Sequence, residues 1–457
     1  MRSIRFLVGF FLFGMAVARA QEPPASPAAP KETAAPLVLF DFEARDASRH
    51  FRAVTKSAIG PRPAPALIDG AAAMAPLPGG TALRIQGFAR TFVYAVDGHV
   101  PADLRPYSEL RLWVHRSADE VARHATTEVE LQFVEEEGVR YWRKVVLDQT
   151  GWQAIQLPLR WFSPAGGRLP RWDRIRTFGI YFRGPGEVLL DGIALVPGTG
   201  PFLEPERDLR TLAFGADAPV VRIDREHSWL MSDVQGHDGE LRELADELAG
   251  LQRRVLTDFA LPLPMQPAGI LVFAKDATYR AFPPRLAEQL ARNAGAPRSD
   301  GYTLLGIATS SADAELGLRR PVLVHEFVHS VLEQSARLGA GPDWFHEGVA
   351  AYYQNELRPQ AGLAELIAHD YVDTVPKVRP IDVAGPKARF GGQYILGLTM
   401  VATLLSEPYR AKVPALVTAF QAAKSTALGP QLGPVLQTDW EGFEAQWART
   451  CERLAGR

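Results

Sequence analysis

The stretch Pro321–Gln354, PVLVHEFVHSVLEQSARLGAGPDWFHEGVAAYYQ, constrains this chain more than any other. It holds His325, Glu326 and His329 as an H-E-x-x-H, and eighteen residues after His329 stands Glu347. Residues four apart share one face of a helix, so the two imidazoles converge on a point only if the segment is helical. The flanks agree. Pro321 suits a first helical position, Val324, Phe327, Val328, Val331 and Leu332 supply an apolar surface, and Gly339 or Gly341 can end the helix. Two neutral imidazoles at about 2.0–2.1 Å fill two positions of a Zn²⁺ ion. Glu347, on a second helix-like stretch Trp344–Gln354, supplies a third ligand and leaves the fourth position open, the pattern of a catalytic zinc. Glu326, beside the first ligand, faces the water side of such an ion and can take a proton there. His346 adjoins Glu347 but projects about 100° away around a helix, so it is not counted as a ligand. The competing reading of these residues is a chance core or surface cluster.

The N-terminus predicts export. Arg2 and Arg5 precede the apolar run Phe6–Val17, and Ala18-Arg19-Ala20 has the A-x-A form of a cleavage site, so 1–20 reads as a signal peptide. Twelve apolar residues are too few to span a bilayer, and no later run is long enough, so no membrane span is expected after cleavage. Residues 21–36, QEPPASPAAPKETAAP, have nothing to bury and read as a Pro/Ala-rich disordered linker. The single cysteine, Cys451, shares a helical stripe with Trp440, Phe443, Trp447 and Leu454, which predicts a buried structural thiol and no internal disulfide. An exported chain without disulfides fits the periplasm or exterior of a bacterium. A net charge of −2 and the lack of a long basic run give no footprint for a nucleic-acid partner.

Residues 37–198 alternate apolar and polar side chains between Gly, Pro and Asp turns, as in Glu128-Val129-Glu130-Leu131-Gln132-Phe133. Strands are expected at Leu37–Glu43, Ala82–Gln86, Thr91–Val96, Glu109–His115, Glu128–Phe133, Tyr141–Leu147, Trp152–Pro158, Arg176–Phe182 and Glu187–Leu195. That rhythm predicts an antiparallel β-sandwich. The runs GWQAIQLPLRWF, IRTFGIYF and EVLLDGIALV resemble the jelly-roll, galactose-binding-like modules found beside carbohydrate-active enzymes. The resemblance implies a glycan or cell-wall ligand held by aromatics on a concave face, for which Trp113, Tyr141, Trp142, Trp161 and Trp172 are available; the plainer expectation is that most of them are core. It also implies a structural Ca²⁺ between the first and last strands, with Asp41, Glu43 and Asp191 as oxygen donors.

A linker over 199–217 leads to a mixed, mainly helical part over 218–457. Leu241, Leu244, Leu248, Leu251 and Val255 mark an amphipathic helix with Asp238 as N-cap; Pro267–Phe273 reads as a buried strand and Phe282–Asn293 as a helix. Gly301–Ser310 reads as a strand, and helices are expected near Gly392–Leu405, Val413–Ala423 and Asp439–Leu454. HEFVH followed by WFHEGVAAYY is similar to the gluzincin metallopeptidases, in particular a peptidase MA-like branch with a W-x-x-E-G-x-A-x-Y pattern, matched by Trp344, Glu347, Gly348, Ala350 and Tyr352. The resemblance implies an α+β zincin-like domain with a helical C-terminal subdomain. It assigns His325, His329 and Glu347 to zinc and makes Glu326 the general base and acid. It further implies that Gly301–Ser310 is an edge strand beside the metal, able to pair with an extended substrate, and that a Tyr from the helical part donates to the oxyanion. Tyr394 is the first candidate and Tyr352 and Tyr353 are the others, while Asp343 is a candidate to orient an imidazole. The expected protein is thus an exported zinc metallopeptidase acting on peptide or protein, with an accessory sandwich. The alternative is a glycan-binding or scaffolding protein whose peptidase-like half is inactive.

Overall fold

The computed structural model describes residues 35–457 apart from 44–49, 54–57, 64–79, 88–90, 97, 137, 165–170, 199–208, 265–266, 290–294, 298, 313–316, 319, 337, 339–342, 385–392 and 424. The expected signal peptide, all but the last two residues of the 21–36 linker, much of the 199–217 linker, and Gly339 and Gly341 lie outside the described residues. Two compact units emerge, the first made of the described residues up to Leu209 and the second mainly of those from Arg210 onward.

The first unit is an antiparallel β-sandwich. Its strands are β1 (Leu37–Phe40), β2 (Phe51–Ala53), β3 (Ala58–Pro63), β4 (Thr81–Gly87), β5 (Thr91–Ala95), β6 (Tyr107–Arg116), β7 (Thr127–Glu135), β8 (Arg140–Leu147), β9 (Gly151–Pro158), β10 (Ser163–Pro164), β11 (Ile175–Phe182) and β12 (Gly186–Pro197). One six-stranded sheet runs β3-β4-β12-β6-β9 with β1 also paired to β12, and the other runs β10-β8-β7-β11-β5-β2. Alternation decides which side chains meet. Leu131 pairs with Ile180, which pairs with Val93, and all three are buried in the core between the sheets. Among the described residues, β2, β3, β10, a short helix α1 (Ala118–Arg123) capped by Ser117 and a 3₁₀ turn at Leu159–Trp161 escaped the sequence reading. The β3 sequence AIGPRP looks like a turn, but β3 lies at the edge of its sheet, where proline removes no ladder hydrogen bond on the open side. The opening strand is also shorter than expected, ending at Phe40, and Phe42 takes a left-handed φ of 56°.

The second unit opens with α2 (Arg210–Phe214), inside the stretch read as linker. A five-stranded sheet follows, β13 (Val221–Asp224), β14 (Ser228–Ser232), β15 (Ala268–Phe273), β16 (Gly301–Leu304) and β17 (Ile307–Ser311), in the order β13-β14-β15-β17-β16. The central three are parallel, and β13 and β16 are antiparallel edges. The helices are α3 (Asp238–Asp258), α4 (Asp276–Gln289), α5 (Pro321–Ser335), α6 (Trp344–Leu357), α7 (Leu363–Ile367), α8 (Pro380–Ala384), α9 (Gln393–Leu404), α10 (Val413–Ala423), α11 (Gly429–Gln431) and α12 (Trp440–Leu454). The five expected apolar positions of α3 are buried in this unit's core, but His237, not Asp238, is its N-cap. Asp238 instead stands in the first turn, where the helix dipole favours a carboxylate. Helix α4 starts at Asp276 rather than Phe282, supported by an Arg280–Asp276 ion pair one turn apart. Gly301–Ser310 is not one strand but a hairpin, because Leu305 and Gly306 both take positive φ (56° and 70°) and reverse the chain. Cys451 is buried, as its stripe predicted. Among the described residues no helix is long and apolar enough to cross a membrane.

Candidate metal centre

Helix α5 begins with Pro321 at its first turn, where the missing N–H costs nothing. Its apolar face, including Leu323, Val324, Phe327, Val328 and Val331, is buried in the core. That burial fixes the opposite face, and His325 and His329 meet on it with Nε2 atoms 3.1 Å apart. Helix α6 carries Glu347 to them, its Oε2 lying 3.2 Å from His325 Nε2 and 3.4 Å from His329 Nε2. Among the described residues these three form the one group of His, Cys, Asp or Glu side chains close enough to share an ion. The fit can be tested on the triangle itself. A tetrahedral ion with ligand distances of about 2.0–2.1 Å requires ligand–ligand edges of about 3.3 Å, and the three edges are 3.1, 3.2 and 3.4 Å. The donor set of two imidazoles and one carboxylate suits Zn²⁺ with an open position.

Burial works to lower the His329 pKa, but the surrounding carboxylates, Glu347 first and then Glu326 and Glu333, together raise the imidazole to about 9. Burial would raise Glu347, yet His329 and the hydrogen bond to His325 hold it well below the usual carboxylate range. His346 lies outside the triangle. Burial, reinforced by His329, lowers its pKa to about 4, so it is neutral. Asp343 occupies the N-cap of α6 and is raised first by burial and then by Glu347.

Two further groups face the triangle. Glu326 accepts a hydrogen bond from Thr303 of edge strand β16, with Thr303 Oγ1 at 2.8 Å from Oε2. The Tyr394 ring lies 5.8 Å from that of His325, with the Glu347 carboxylate close enough to act on its hydroxyl. Burial first, then the Glu347 charge, raises the Tyr394 pKa, so the phenol keeps its proton. The other two tyrosine candidates point elsewhere. Tyr353 donates to Asp258 at 2.7 Å, and Tyr352 stacks edge-on against Tyr353 near Glu356. Thr303 had no signal in the sequence, because a lone Thr in a strand is ordinary and its partner arrives from a different element.

The sandwich sorts its aromatics by strand parity. Trp113, Tyr141 and Trp172 are buried, and Trp161 packs partly against the core beneath Arg143. Trp142 is different. Cross-strand register sets Trp142, Gln132, Gly179 and Tyr94 in one row and Lys144, Glu130, Tyr181 and Phe92 in the next, all on the face away from the core. Phe92 stacks with Tyr94 at 5.8 Å and lies across Gly179, where a Cβ would stand 2.7 Å from its ring. Arg183 bonds Glu130 and covers Trp142 at 5.9 Å. Tyr94, Tyr181 and Phe92 were missed by the sequence reading, although their alternation with buried Val93 and Ile180 was there to find them. The carboxylates of the acids assigned to calcium are not among the described groups close enough to share an ion. Asp191 is buried and accepts from the Gly192 amide, Glu43 accepts from Thr81, and Asp41 accepts from Glu43.

No family model matches the chain, and no curated protein matches it. Similar solved structures include the family 11 carbohydrate-binding module of a cellulosomal cellulase of Clostridium thermocellum, at 12% identity over 36% of this chain and 97% of that one, with a TM-score of 0.26. The xylan-binding CBM22-1 domain of Paenibacillus barcinonensis Xyn10C is 13% identical over 37% of this chain and 99% of that one, also with a TM-score of 0.26. An exo-beta-agarase is 16% identical over 51% of this chain and 32% of its own, with the same TM-score of 0.26. At these scores the likenesses bear on no individual residue.

Proposed function

We propose that this protein is an exported zinc-dependent metallopeptidase of the gluzincin type, and that its sandwich is an accessory module for glycan. The observation that carries the first part is the His325–His329–Glu347 triangle, whose edges match a tetrahedral ion, with Glu326 and Tyr394 beside it. A zinc ion held there would lower the pKa of a bound water to near 7 and polarise a carbonyl. The protein's own groups have the complementary tasks. Glu326 accepts the proton of the attacking water at its carboxylate and returns it to the departing amine. Tyr394, kept protonated, donates to the oxyanion forming on the scissile carbonyl. Strand β16 offers one open edge of backbone N–H and C=O groups, which an extended peptide can satisfy without demands on its side chains.

The glycan part rests on the outer rows of the sandwich. Flat aromatics beside Arg183 and Lys144 suit a sugar, which presents apolar faces and hydroxyl edges.

Metal analysis and a peptide-library digest test the enzyme. The wild type should hold close to one zinc per chain and cleave. Glu326→Gln should keep the zinc and lose cleavage. Purified protein that takes up no zinc, or a Glu326→Gln variant with full activity, would sink the reading and leave a binding or scaffolding protein.

A further inference from the structure

We propose that Thr303, on the edge strand, is a positioning residue that holds the Glu326 carboxylate in its working rotamer. The inference rests on the peptidase reading and concerns a residue that reading does not assign. Thr303 Oγ1 lies 2.8 Å from Glu326 Oε2 and 2.7 Å from the Glu326 backbone oxygen. A single hydroxyl proton between two acceptors ties the end of the side chain to the start of it.

A second contact acts on the middle of the same side chain. A Cβ placed on Gly301 would stand 2.9 Å from Glu326 Cγ and 2.6 Å from Val322 Cγ2. The bare backbone at the start of β16 is therefore a wall against which the Glu326 methylenes lie. A glutamate freed of such contacts has three rotatable bonds and spreads over several staggered wells. Here both its stem and its tip are held by one strand of four residues.

The strand is in turn anchored to the metal helix. Ser330 donates to the Gly306 carbonyl, and the Gly306 amide donates to Glu333 Oε2 at 3.0 Å. Thr303 grips α5 beside the first imidazole, and Gly306 grips it on either side of the turn after the second. The hairpin cannot slide along α5 without breaking one of these contacts. The edge offered to a substrate backbone and the holder of the base are thus one rigid piece. A peptide laid along β16 arrives in a fixed register to the carboxylate, and placement of this kind is worth about a hundredfold in rate per ångström.

Thr303→Val and Thr303→Ser test this. Valine keeps the shape and the strand preference and removes the hydroxyl, while serine keeps the hydroxyl. Thr303→Val should lower kcat by about 10- to 100-fold with KM within about twofold and the zinc content of the wild type. Thr303→Ser should restore most of the rate. In crystals of the metal-free variants, the Glu326 carboxylate should leave β16 in the valine protein and stay in the serine protein. An unchanged kcat in Thr303→Val, an equal loss in Thr303→Ser, or an unmoved Glu326 rotamer in the metal-free valine protein would each overturn the assignment. A wild type without zinc or cleavage would overturn the peptidase reading instead, and the rotamer comparison would still decide the contact.

Discussion

Gly348 of α6 and Gly397 of α9 touch through their backbones. A Cβ on Gly348 would stand 2.5 Å from the carbonyl carbon and oxygen of Gly397, and a Cβ on Gly397 would stand 2.7 Å from the Trp344 carbonyl oxygen. Only two glycines permit so close a crossing. Its consequence lies one residue and one turn away. Glu347 precedes Gly348, and Tyr394 is three residues before Gly397 on the same face of α9, so the crossing brings the phenol and the carboxylate to one side of the two helices.

Alanine at either glycine should therefore injure the site from a distance. In an open helix the change would add up to about 1 kcal/mol through better helix propensity. Here the new methyl meets backbone, which cannot swing aside, and overpacking of about 1–3 kcal/mol should win. Gly348→Ala and Gly397→Ala should both lower the denaturation midpoint and weaken zinc retention. Increased stability in either would show that the helices can part freely.

Tyr394→Phe should leave zinc content and KM near wild type and reduce kcat by about 10²-fold or more, the usual loss for one oxyanion donor. Tyr352→Phe and Tyr353→Phe should not. Steady-state kinetics on one peptide substrate compares the three, and equal losses would remove the special role of Tyr394.

Zinc affinity should depend on pH with a defined sign. A ligand imidazole must be neutral, and His329 in the metal-free protein is raised to about 9. Between pH 7 and about 9 each bound ion therefore expels a proton, so apparent affinity should rise about tenfold per pH unit and then level off. Chelator competition across that range measures it. A flat profile between pH 7 and 9 would mean the triangle holds no such proton.

Cys451 should be inert in the folded protein. Burial pushes its thiol up to about 12, which leaves almost no thiolate at pH 8. A thiol reagent at that pH should react only after unfolding, and stoichiometric labelling of the native chain would contradict the buried stripe on α12.

Trp142→Ala and Tyr94→Ala should abolish retention on an immobilised polysaccharide that retains the wild type, with little change in melting temperature, because both side chains are partly exposed. Trp172→Ala should instead cost about 3–5 kcal/mol of stability, since that ring is buried among Phe133, Tyr141 and Phe162. If all three lost binding only in proportion to stability, the outer face would not be the glycan surface.

The sequence by itself determined what short-range periodicity can carry. A four-residue spacing on a Pro-initiated helix was enough to bring His325 and His329 to one face, and the period-2 alternation of residues such as Val129, Leu131 and Phe133 was enough for a sandwich core. It misread the chain where local composition and context disagreed. AIGPRP, which carried no strand signal, is an edge strand, and the apparent single strand Gly301–Ser310 is a hairpin. Only the tertiary structure decided which of three tyrosines stands beside Glu347, and that Thr303 hydrogen-bonds Glu326. Each of those depends on where one element is packed against another. That packing is set by the bare backbones of Gly348, Gly397 and Gly301, residues whose lack of a side chain leaves no periodic signal to read.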